Sequence, residues 1–388
     1  MVTMAATSRV GCRTRPSRLY RMGPPHHLGP ADETRSRGTG RDLGRPADVT
    51  QRGMRRVRRK VLMKLGIIGP QGPDTFATNI GDAAQRMGHQ VVPLGSGRPR
   101  HATLAGRAVQ HVLESVPDVE RRLHARLARA AQAHECDAVL STNHALAAEA
   151  VAELRRARIP VALWYPDAVV NMGRQWMLLA PYSVVFTKDP LLARRLRDTL
   201  DINARYLPQA CNPRWHRPMS EPATERTIVV AGNVYPSRLL LLRRLHEAGI
   251  PLSLYGAPVP RYLLPTMPPG LRMRPPIFRE DKSRVFRGAA AVLNNLHPGE
   301  MTGVNLRTFE ATGAGAAVLC EDRPVLADLY DPGREIVSFT TVAELIERAR
   351  ELLDEPRRTA EIGDAATKRA HAEHTYEHRL PELFAQLS

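Results

Sequence analysis

From Met63 onward, short apolar runs alternate with longer stretches whose apolar residues recur every three or four positions. This alternation is typical of βαβ units, in which helices connect parallel strands. In the first half of the chain it predicts strands at residues 65–68, 91–94, 138–140, 161–164, 183–186 and 205–207. Between them it predicts helices at residues 80–87, 119–133, 145–157 and 190–200. Residues 63–207 are therefore expected to form one doubly wound α/β domain.

Prolines interrupt this pattern between residues 208 and 225, and a helix or a central strand would not contain so many, so the segment is predicted to be a linker. A second alternation follows. It predicts strands at residues 227–230, 252–255, 290–293, 316–319 and 335–338, and helices at 237–248, 282–287, 306–312, 342–353, 357–372 and 378–387. We expect residues 226–388 to form a second Rossmann-like domain with two closing helices, facing the first across a ligand-binding cleft.

The sequence His374-Thr375-Tyr376-Glu377-His378-Arg379 is polar enough to suggest chemistry, but it directly precedes the last predicted helix. Thr375, with Glu377 and His378 behind it, is suited to start that helix, and Tyr376 is suited to pack beneath it. We therefore interpret this motif as structural.

Residues 1–62 lack the alternating pattern and are rich in Gly, Pro, Arg, Ser and Thr, which predicts a disordered leader. They contain no apolar stretch of roughly 7–15 residues, so a secretory signal peptide is not expected. Two interpretations remain open. In the first, the leader is an organelle transit peptide, which it resembles in being rich in arginine and poor in acidic residues. In the second, Met63 is the natural start of the chain. We favour the second, because Met63 directly precedes the first predicted strand.

The composition excludes several classes of protein. With 43% hydrophobic and 24% charged residues, the chain can bury real cores, which excludes wholesale disorder and fibrous architectures. No apolar run approaches the roughly 18 residues that a membrane-spanning helix needs. The four cysteines are far apart and form neither a disulfide framework nor a zinc motif, so a reducing, cytoplasmic location is expected.

The formal net charge of +17 is concentrated in the leader. Residues 1–62 carry 15 Lys+Arg against 4 Asp+Glu, a balance of +11, which leaves +6 for the rest. Because the leader has only Tyr20 as an aromatic residue for base stacking, we expect no nucleic-acid partner.

Peripheral association with a membrane stays open. An arginine-rich face of the helix at 119–133 suits anionic lipid, although such faces are usually solvated. Its arginines are Arg121, Arg122, Arg126 and Arg129.

The segment from Asn294 to Gly315 is the most informative about function. A buried strand ends in polar residues, a loop of small residues follows, and a helix begins near Asn305. Free N–H groups at a helix start attract anions, so the segment suits a diphosphate, and Gly303 would let it approach the backbone closely. Glu310 is placed to accept hydrogen bonds from both hydroxyls of a ribose. On spacing alone, an ordinary strand–loop–helix unit with a solvated glutamate also remains open.

Five recognisable motifs in the second half of the chain lie at residues 303–310, 315–316, 328–330, 333–337 and 374–379. They resemble motifs of the CgeB/YkvP-type glycosyltransferases, which are bacterial enzymes of the GT-B fold related to the family-4 retaining group. Further matches are Gly232-Asn233-Val234-Tyr235 with Arg238, and Trp164-Tyr165-Pro166-Asp167. The resemblance extends over about residues 63–387 and is more specific in the second domain than in the first.

The resemblance implies a nucleotide-sugar donor held mainly by the second domain. Glu310 matches the family's ribose-binding glutamate, and Arg238, close to Asn233, is the best candidate for a cation on the diphosphate. The phosphate-facing helix start is matched by Gly303, Val304, Asn305 and Arg307.

Two features of the sequence qualify this donor site. Many relatives place another glutamate eight positions before the ribose-binding one, where this chain has Thr302, so the donor sugar is left open. There is no DxD motif, and arginines with helix-terminal amides stabilise a departing diphosphate without a metal. We therefore expect neither a catalytic metal nor another cofactor.

The first domain is expected to hold the acceptor. Gly69 and Gly72 follow its first strand and would form the turn where donor and acceptor meet. Asp167 and His144 follow strand ends, so each is a candidate base for the acceptor hydroxyl. The alternative for each is a helix cap or a loop hydrogen bonder, which is the commoner role of an Asp or His that follows a strand. In retaining transfer by front-face substitution no enzymatic nucleophile is required, and these residues would position groups instead.

The function that the sequence favours is transfer of a sugar, by a retaining hexosyltransferase, from a nucleoside-diphosphate donor to an acceptor that the sequence does not identify. Two alternatives stay open: a binding module that has lost catalysis, which Thr302 favours slightly, and a nucleotide-sugar epimerase, which shares the two-domain architecture.

Overall fold

The computed structural model describes residues 62–96, 116–142, 144–171, 176–223 and 225–388. The predicted leader lies outside the described residues except for Leu62.

The described part of the first domain contains six parallel strands. They are β1 Lys64–Ile68, β2 Gln90–Gly95, β3 Ala138–Thr142, β4 Val161–Tyr165, β5 Val184–Thr187 and β6 Ala204–Tyr206, in the spatial order β2-β1-β3-β4-β5-β6. The helices described between them are α1 Phe76–Arg86, α2 Pro117–Ala133, α3 Ala148–Arg156 and α4 Pro190–Leu200. The central strands β3 and β4 are buried along their whole length, as parallel strands covered by helices on both faces must be.

The second domain repeats this plan. Its parallel strands are β7 Ile228–Ala231, β8 Leu252–Tyr255, β9 Met273–Arg274, β10 Ala291–Asn294, β11 Val318–Glu321 and β12 Val337–Phe339, in the order β12-β11-β10-β7-β8-β9. Its helices are α5 Pro236–Glu247, α6 Arg279–Gly288, α7 Leu306–Gly313, α8 Leu326–Leu329, α9 Val342–Asp354 and α10 Pro356–Glu373. The chain ends in α11, Tyr376–Ala385.

The predicted strands and helices are confirmed, with differences at their ends. Helix α1 begins at Phe76, four residues before its predicted start, because the side chain of Thr75 accepts a hydrogen bond from Thr78 N and caps the helix. The two-residue strand β9, the four-residue helix α8 and a 3-10 helix at Arg261–Thr266 were not predicted, since elements so short leave little periodicity.

The last helix packs against the first domain. Tyr376 and Leu380 of α11 belong to the same buried cluster as Phe76 and Trp164, and the rings of Phe76 and Tyr376 lie 6.1 Å apart. The prediction that both closing helices complete the second domain is therefore wrong for α11. The motif at the start of α11 is structural, as predicted: Thr375 and His378 form a capping box, and Tyr376 is fully buried.

The arginines of α2 are exposed, as a solvated face requires. Arg121 is engaged within the protein, since it pairs with Asp118 and Glu149 and lies over the ring of Trp176. Among the described residues, no helix has both the length and the apolar character needed to cross a membrane.

Candidate active site

A cleft opens between the two domains at the carboxyl ends of their strands. The direction of chain progression reverses between β1 and β3 in the first sheet and between β7 and β10 in the second. Loops diverge at such points and leave a crevice. A cavity of about 320 Å³ occupies it. Its walls are formed by Pro70, Thr75, Phe76, Pro166, Asp167, Gln209, Ala231, Gly232, Arg238, Asn294, Asn305, Leu306 and Arg307.

Arg238 is a buried cation in the wall of this cavity. Only 8% of the residue is exposed, and burial lowers the pKa of its guanidinium, which nevertheless stays charged. Its Nε donates to Asn295 Oδ1 at 2.8 Å and its Nη1 to the carbonyl of Asn233 at 2.7 Å, while the guanidinium lies over the ring of Tyr235. The hydrogen-bond acceptors that the described residues provide for this guanidinium are thus neutral. The charge is left available to an anion in the cleft.

Arg307 converges with Arg238 on Gly232. A Cβ atom placed on Gly232 would stand 3.1 Å from Arg238 Nη1 and 3.8 Å from Arg307 Nη2, so any side chain there would crowd both guanidinium groups. Asn305 caps α7 beside them, its Oδ1 accepting from Arg307 N at 3.1 Å. Two forked cations at a helix start form a site suited to phosphate oxygens.

Glu310 is buried behind this pair of arginines and is not solvated. Its carboxylate contacts Arg307 Nη1 at 2.7 Å and Lys282 Nζ at 2.8 Å, and only 3% of its side chain is exposed. It is not among the residues that line the cleft cavity. The contact seen is therefore one that orients Arg307, and hydrogen bonding of Glu310 to a ribose remains a prediction.

Gly303 faces the first domain. A Cβ atom at this position would lie 2.2 Å from the carbonyl oxygen of Lys188, so the close approach that glycine permits is used by another part of the chain. Val304 is buried in the core of the second domain. Of the predicted helix start, Asn305 and Arg307 line the cleft cavity, whereas Gly303 and Val304 do not.

Asp189 of the first domain holds the loop before α7. Its carboxylate accepts from Thr302 N at 2.8 Å, Thr302 Oγ1 at 2.6 Å and Gly303 N at 3.2 Å, and it also caps α4. Burial alone would raise the pKa of Asp189, but the hydrogen bonds from Thr302, Leu192 and Gly303 hold it below its usual value. Thr302 is thus tied to the opposite domain.

Neither of the glycines that follow β1 is among the residues that line the cleft cavity. A Cβ atom on Gly69 would lie 2.0 Å from Thr142 Oγ1, so Gly69 packs against β3. Gly72 has the positive φ of 153°, and its carbonyl accepts from Thr75 N at 3.4 Å. Their loop contributes Pro70 to the cleft, and contact of either glycine with an acceptor remains a prediction.

Of the two candidate bases, the structure brings Asp167 to the cleft and leaves His144 outside its walls. Asp167 is exposed and lines both the cleft cavity and a neighbouring cavity of about 240 Å³. His144 lies in a turn after β3, where its N–H donates to the carbonyl of Thr142 at 2.8 Å. It lines neither cavity.

A buried ionic cluster joins the domains beneath the cleft, and sequence analysis missed it. It consists of Asp74, His216, Lys282 and Glu310, whose side chains are almost completely buried. Lys282 Nζ contacts the carboxylates of both Asp74 and Glu310, and His216 Nε2 lies 2.9 Å from Asp74 Oδ1. Burial alone would raise the pKa of Asp74, but the hydrogen bonds and charges of His216 and Lys282 hold it well below its usual range.

The same cluster contains backbone strain on both sides of the domain boundary. Asp74 and Arg279 both have positive φ, 63° and 49°, and Arg279 N donates to Asp74 Oδ2 at 3.0 Å. Non-glycine residues keep such conformations only where their surroundings fix them. The contact therefore fixes the β1–α1 loop against the start of α6.

Asp74, His216 and Glu310 offer potential metal-ligand atoms that all lie within 4.8 Å of one another. The ammonium group of Lys282 contacts both carboxylates and already supplies positive charge there. One feature of the sequence could have pointed to this ionic cluster. Only five of the 56 Lys and Arg residues are lysines, so a lysine at position 282 suggests a site that requires a compact cation.

Residues 221–385 match the protein-family model described as glycosyl transferase-like. No curated protein matches the sequence. Among solved structures, the chain is similar to sucrose-phosphate synthase from Thermosynechococcus elongatus, at 14% identity and a TM-score of 0.60 over 84% of this chain and 99% of that one. It is also similar to Anabaena HepE in complex with UDP-glucose, at 14% identity and a TM-score of 0.57 over 84% and 100% of the chains. A glycosyltransferase from Rickettsia africae matches at 10% identity and a TM-score of 0.57 over 84% and 97%.

At these identities the structural likeness concerns the fold. Two parallel-sheet α/β domains face each other as in the GT-B glycosyltransferases, and the predicted fold is confirmed. The match to the family model lies in the second domain and α11, the part of the chain that contains Arg238, Arg307 and Glu310.

Proposed function

We propose that this protein transfers a sugar from a nucleoside-diphosphate donor to a hydroxyl group of an acceptor. The observation that carries the proposal is the convergence of Arg238 and Arg307 on Gly232 in the cleft of a GT-B fold. Arg238 in particular is buried without a carboxylate partner among the described residues, which is costly unless an anion binds there. The similar Anabaena HepE was solved in complex with UDP-glucose, which supports a nucleotide-sugar donor.

In this proposal the two arginines stabilise negative charge on the departing diphosphate. Their forked N–H groups suit phosphate oxygens, and in a cleft with little water such contacts strengthen as charge develops. Lys282 and Arg307 contact Glu310, which keeps Arg307 oriented toward the cleft. The reaction is proposed to need no metal, so excess EDTA should leave turnover unchanged, and a requirement for added Mg²⁺ or Mn²⁺ would contradict this part.

The acceptor hydroxyl is proposed to lie beside Asp167. This carboxylate is exposed at the boundary between the two cavities, so a hydroxyl bound there would be near both the sugar and a hydrogen-bond acceptor. We propose a retaining hexosyltransferase of the CgeB/YkvP type, in which Asp167 positions the hydroxyl. The anomeric configuration of the product, measured by NMR, tests the stereochemistry directly.

Thermal unfolding with a nucleotide panel tests the proposal as a whole. Ligand at 100 times its dissociation constant stabilises the folded chain by about 2.7 kcal/mol. We expect one of UDP, GDP, ADP and dTDP to raise the unfolding temperature, and the corresponding nucleotide sugar to be consumed when an acceptor is present. A folded protein that responds to none of these nucleotides or nucleotide sugars would refute the proposal.

A nucleotide-sugar binding module without catalysis is the second candidate. The observation that favours it is the engagement of Thr302 by Asp189, which occupies both its N–H and its hydroxyl. Nucleotide binding with no consumption of the nucleotide sugar, by hydrolysis or by transfer, would favour this candidate over the transferase.

A further inference from the structure

The second cavity, next to the donor cleft, differs from it in character. It measures about 240 Å³ and shares Asp167 with the donor cleft. Its other walls are formed by Ala168, Val170, Thr187, Lys188, Asp189, Leu192, Gly299, Glu300, Met301 and Gly303. It thus lies between the loop after β4, the start of α4 and the loop that precedes α7.

Apart from Asp167, the described charged groups in this wall contact partners within the protein. Lys188 Nζ lies 2.9 Å from Glu300 Oε2, and the two side chains are only 4% and 8% exposed. The carboxylate of Asp189 accepts hydrogen bonds from Thr302 and Gly303 and from the first turn of α4. An anionic ligand would therefore find Lys188 already paired and would face three carboxylates in the same wall, so the cavity does not suit an anion.

The remaining surface is apolar. Ala168 and Leu192 form the inner wall, while Val170 and Met301 stand at the rim with 68% and 63% of their surface exposed. A hexose, which is surrounded by hydroxyl groups, would lose hydrogen bonds to water here and replace few of them. An apolar group would instead release water from the cavity wall and from both exposed side chains.

We propose that this cavity binds the apolar part of a neutral alcohol acceptor, with the acceptor hydroxyl beside Asp167. The inference rests on the proposed transferase function and names its acceptor class. The volume lies below the roughly 300–1,000 Å³ of pockets for drug-sized ligands, so it suits a single small ring system. The acceptor is accordingly an aromatic or alicyclic alcohol and not an oligosaccharide or a phosphorylated sugar.

Direct binding of 2-naphthol, followed by its fluorescence on titration with the full chain, tests the cavity without any donor. The variants Met301→Glu and Val170→Glu each place a charge at the rim, where an exposed side chain tolerates it. We expect each to weaken naphthol binding at least tenfold. Leu240→Glu is the matched control, because Leu240 is 54% exposed on α5, outside the residues that line the cavity, and we expect no change.

Transfer kinetics then separate this inference from the proposed function. With the nucleotide sugar that binds as donor, we expect kcat/KM for 2-naphthol as acceptor to exceed that for glucose and for glucose 6-phosphate at least tenfold. We expect Met301→Glu to raise the KM for naphthol and to leave the Kd of the nucleoside diphosphate unchanged. Nucleotide binding without naphthol binding, or a preference for the sugar acceptors, would overturn the inference and spare the transferase. Naphthol binding that depends on Met301, without nucleotide binding, would refute the transferase but keep the cavity.

A third result would also overturn the inference. If Met301→Glu weakens binding of the nucleotide sugar but of neither the free nucleoside diphosphate nor naphthol, the cavity holds the donor sugar and not the acceptor.

Discussion

Replacing Lys282 by methionine removes the cation from the buried cluster while nearly preserving the side chain's length. Only 6% of this side chain is exposed, and it contacts the carboxylates of Asp74 and Glu310, which are 1% and 3% exposed. Removing one partner of a buried ion pair usually costs about 3–5 kcal/mol, because the remaining charge cannot recover its hydration.

The structure places the expected cost at the lower end of that range. After the substitution Asp74 still has His216 Nε2 at 2.9 Å, and Glu310 still has Arg307 Nη1 at 2.7 Å. We therefore expect a loss of about 3 kcal/mol in the free energy of unfolding at neutral pH. At about 2 °C per kcal/mol for a chain of this size, the unfolding temperature should fall by about 6 °C.

Thermal and urea unfolding of the full chain measure this effect, with Lys368→Met as the control because Lys368 is exposed on α10. The control should stay within about 0.5 kcal/mol of the wild type. Equal stability of the two variants would refute the reasoning, since it would mean that the Lys282 ammonium is not a required counter-ion. Asp74→Asn combined with Lys282→Met should recover part of the loss, because it removes one of the two buried carboxylates that lose the Lys282 ammonium.

Two further predictions concern packing and pH. Gly303→Ala should destabilise the protein by about 1–3 kcal/mol, because the new Cβ would meet the carbonyl of Lys188. Gly81→Ala in α1, where a Cβ has room, should instead stabilise the protein by about 0.5–1 kcal/mol. Urea unfolding compares the two variants, and equal effects would contradict the packing argument. Burial lowers the pKa of His374 from 6.5 to about 4, while its Nε2 donates to the carbonyl of Leu329. The unfolded chain binds this proton first, so stability should be lost as pH falls from about 6.5 to 4, by about 3 kcal/mol in total. His374→Gln should flatten that slope in unfolding curves measured between pH 7 and 4, and an unchanged slope would assign the loss to other groups.

The sequence predicted most of the fold because local patterns determine it. Strands such as β4 are continuous apolar runs, and helices such as α4 and α7 begin at capping residues, Asp189 and Asn305, that are recognisable in the sequence. The domain against which α11 packs was not predictable in this way, since an amphipathic pattern shows that one face of a helix is buried but not which core covers it. Which core it joins is decided by the path of the chain, which returns to the first domain after α10.

The candidate site was predicted only in part, for the same physical reason. Arg238 follows a recognisable loop after β7 and lines the cleft cavity, while its contact with a diphosphate stays a prediction. The ionic cluster joins Asp74, His216 and Lys282, which are far apart along the chain, so periodicity and spacing carry no sign of it. Gly303 was predicted to let a diphosphate approach the backbone, and only tertiary structure shows that the carbonyl of Lys188 lies against it.

Titration calorimetry of nucleoside diphosphates with the wild type, Arg238→Met and Arg243→Met tests the central claim most directly. Arg243 is an exposed arginine on the same helix as Arg238, so it controls for the loss of one positive charge. Hydrogen bonds to a charged group contribute about 1.5–3 kcal/mol, so Arg238→Met should weaken binding by about 10- to 100-fold, while Arg243→Met should match the wild type. Equal affinity in all three proteins, with Arg238→Met folded, would show that the cleft arginine does not hold the diphosphate and would contradict the account.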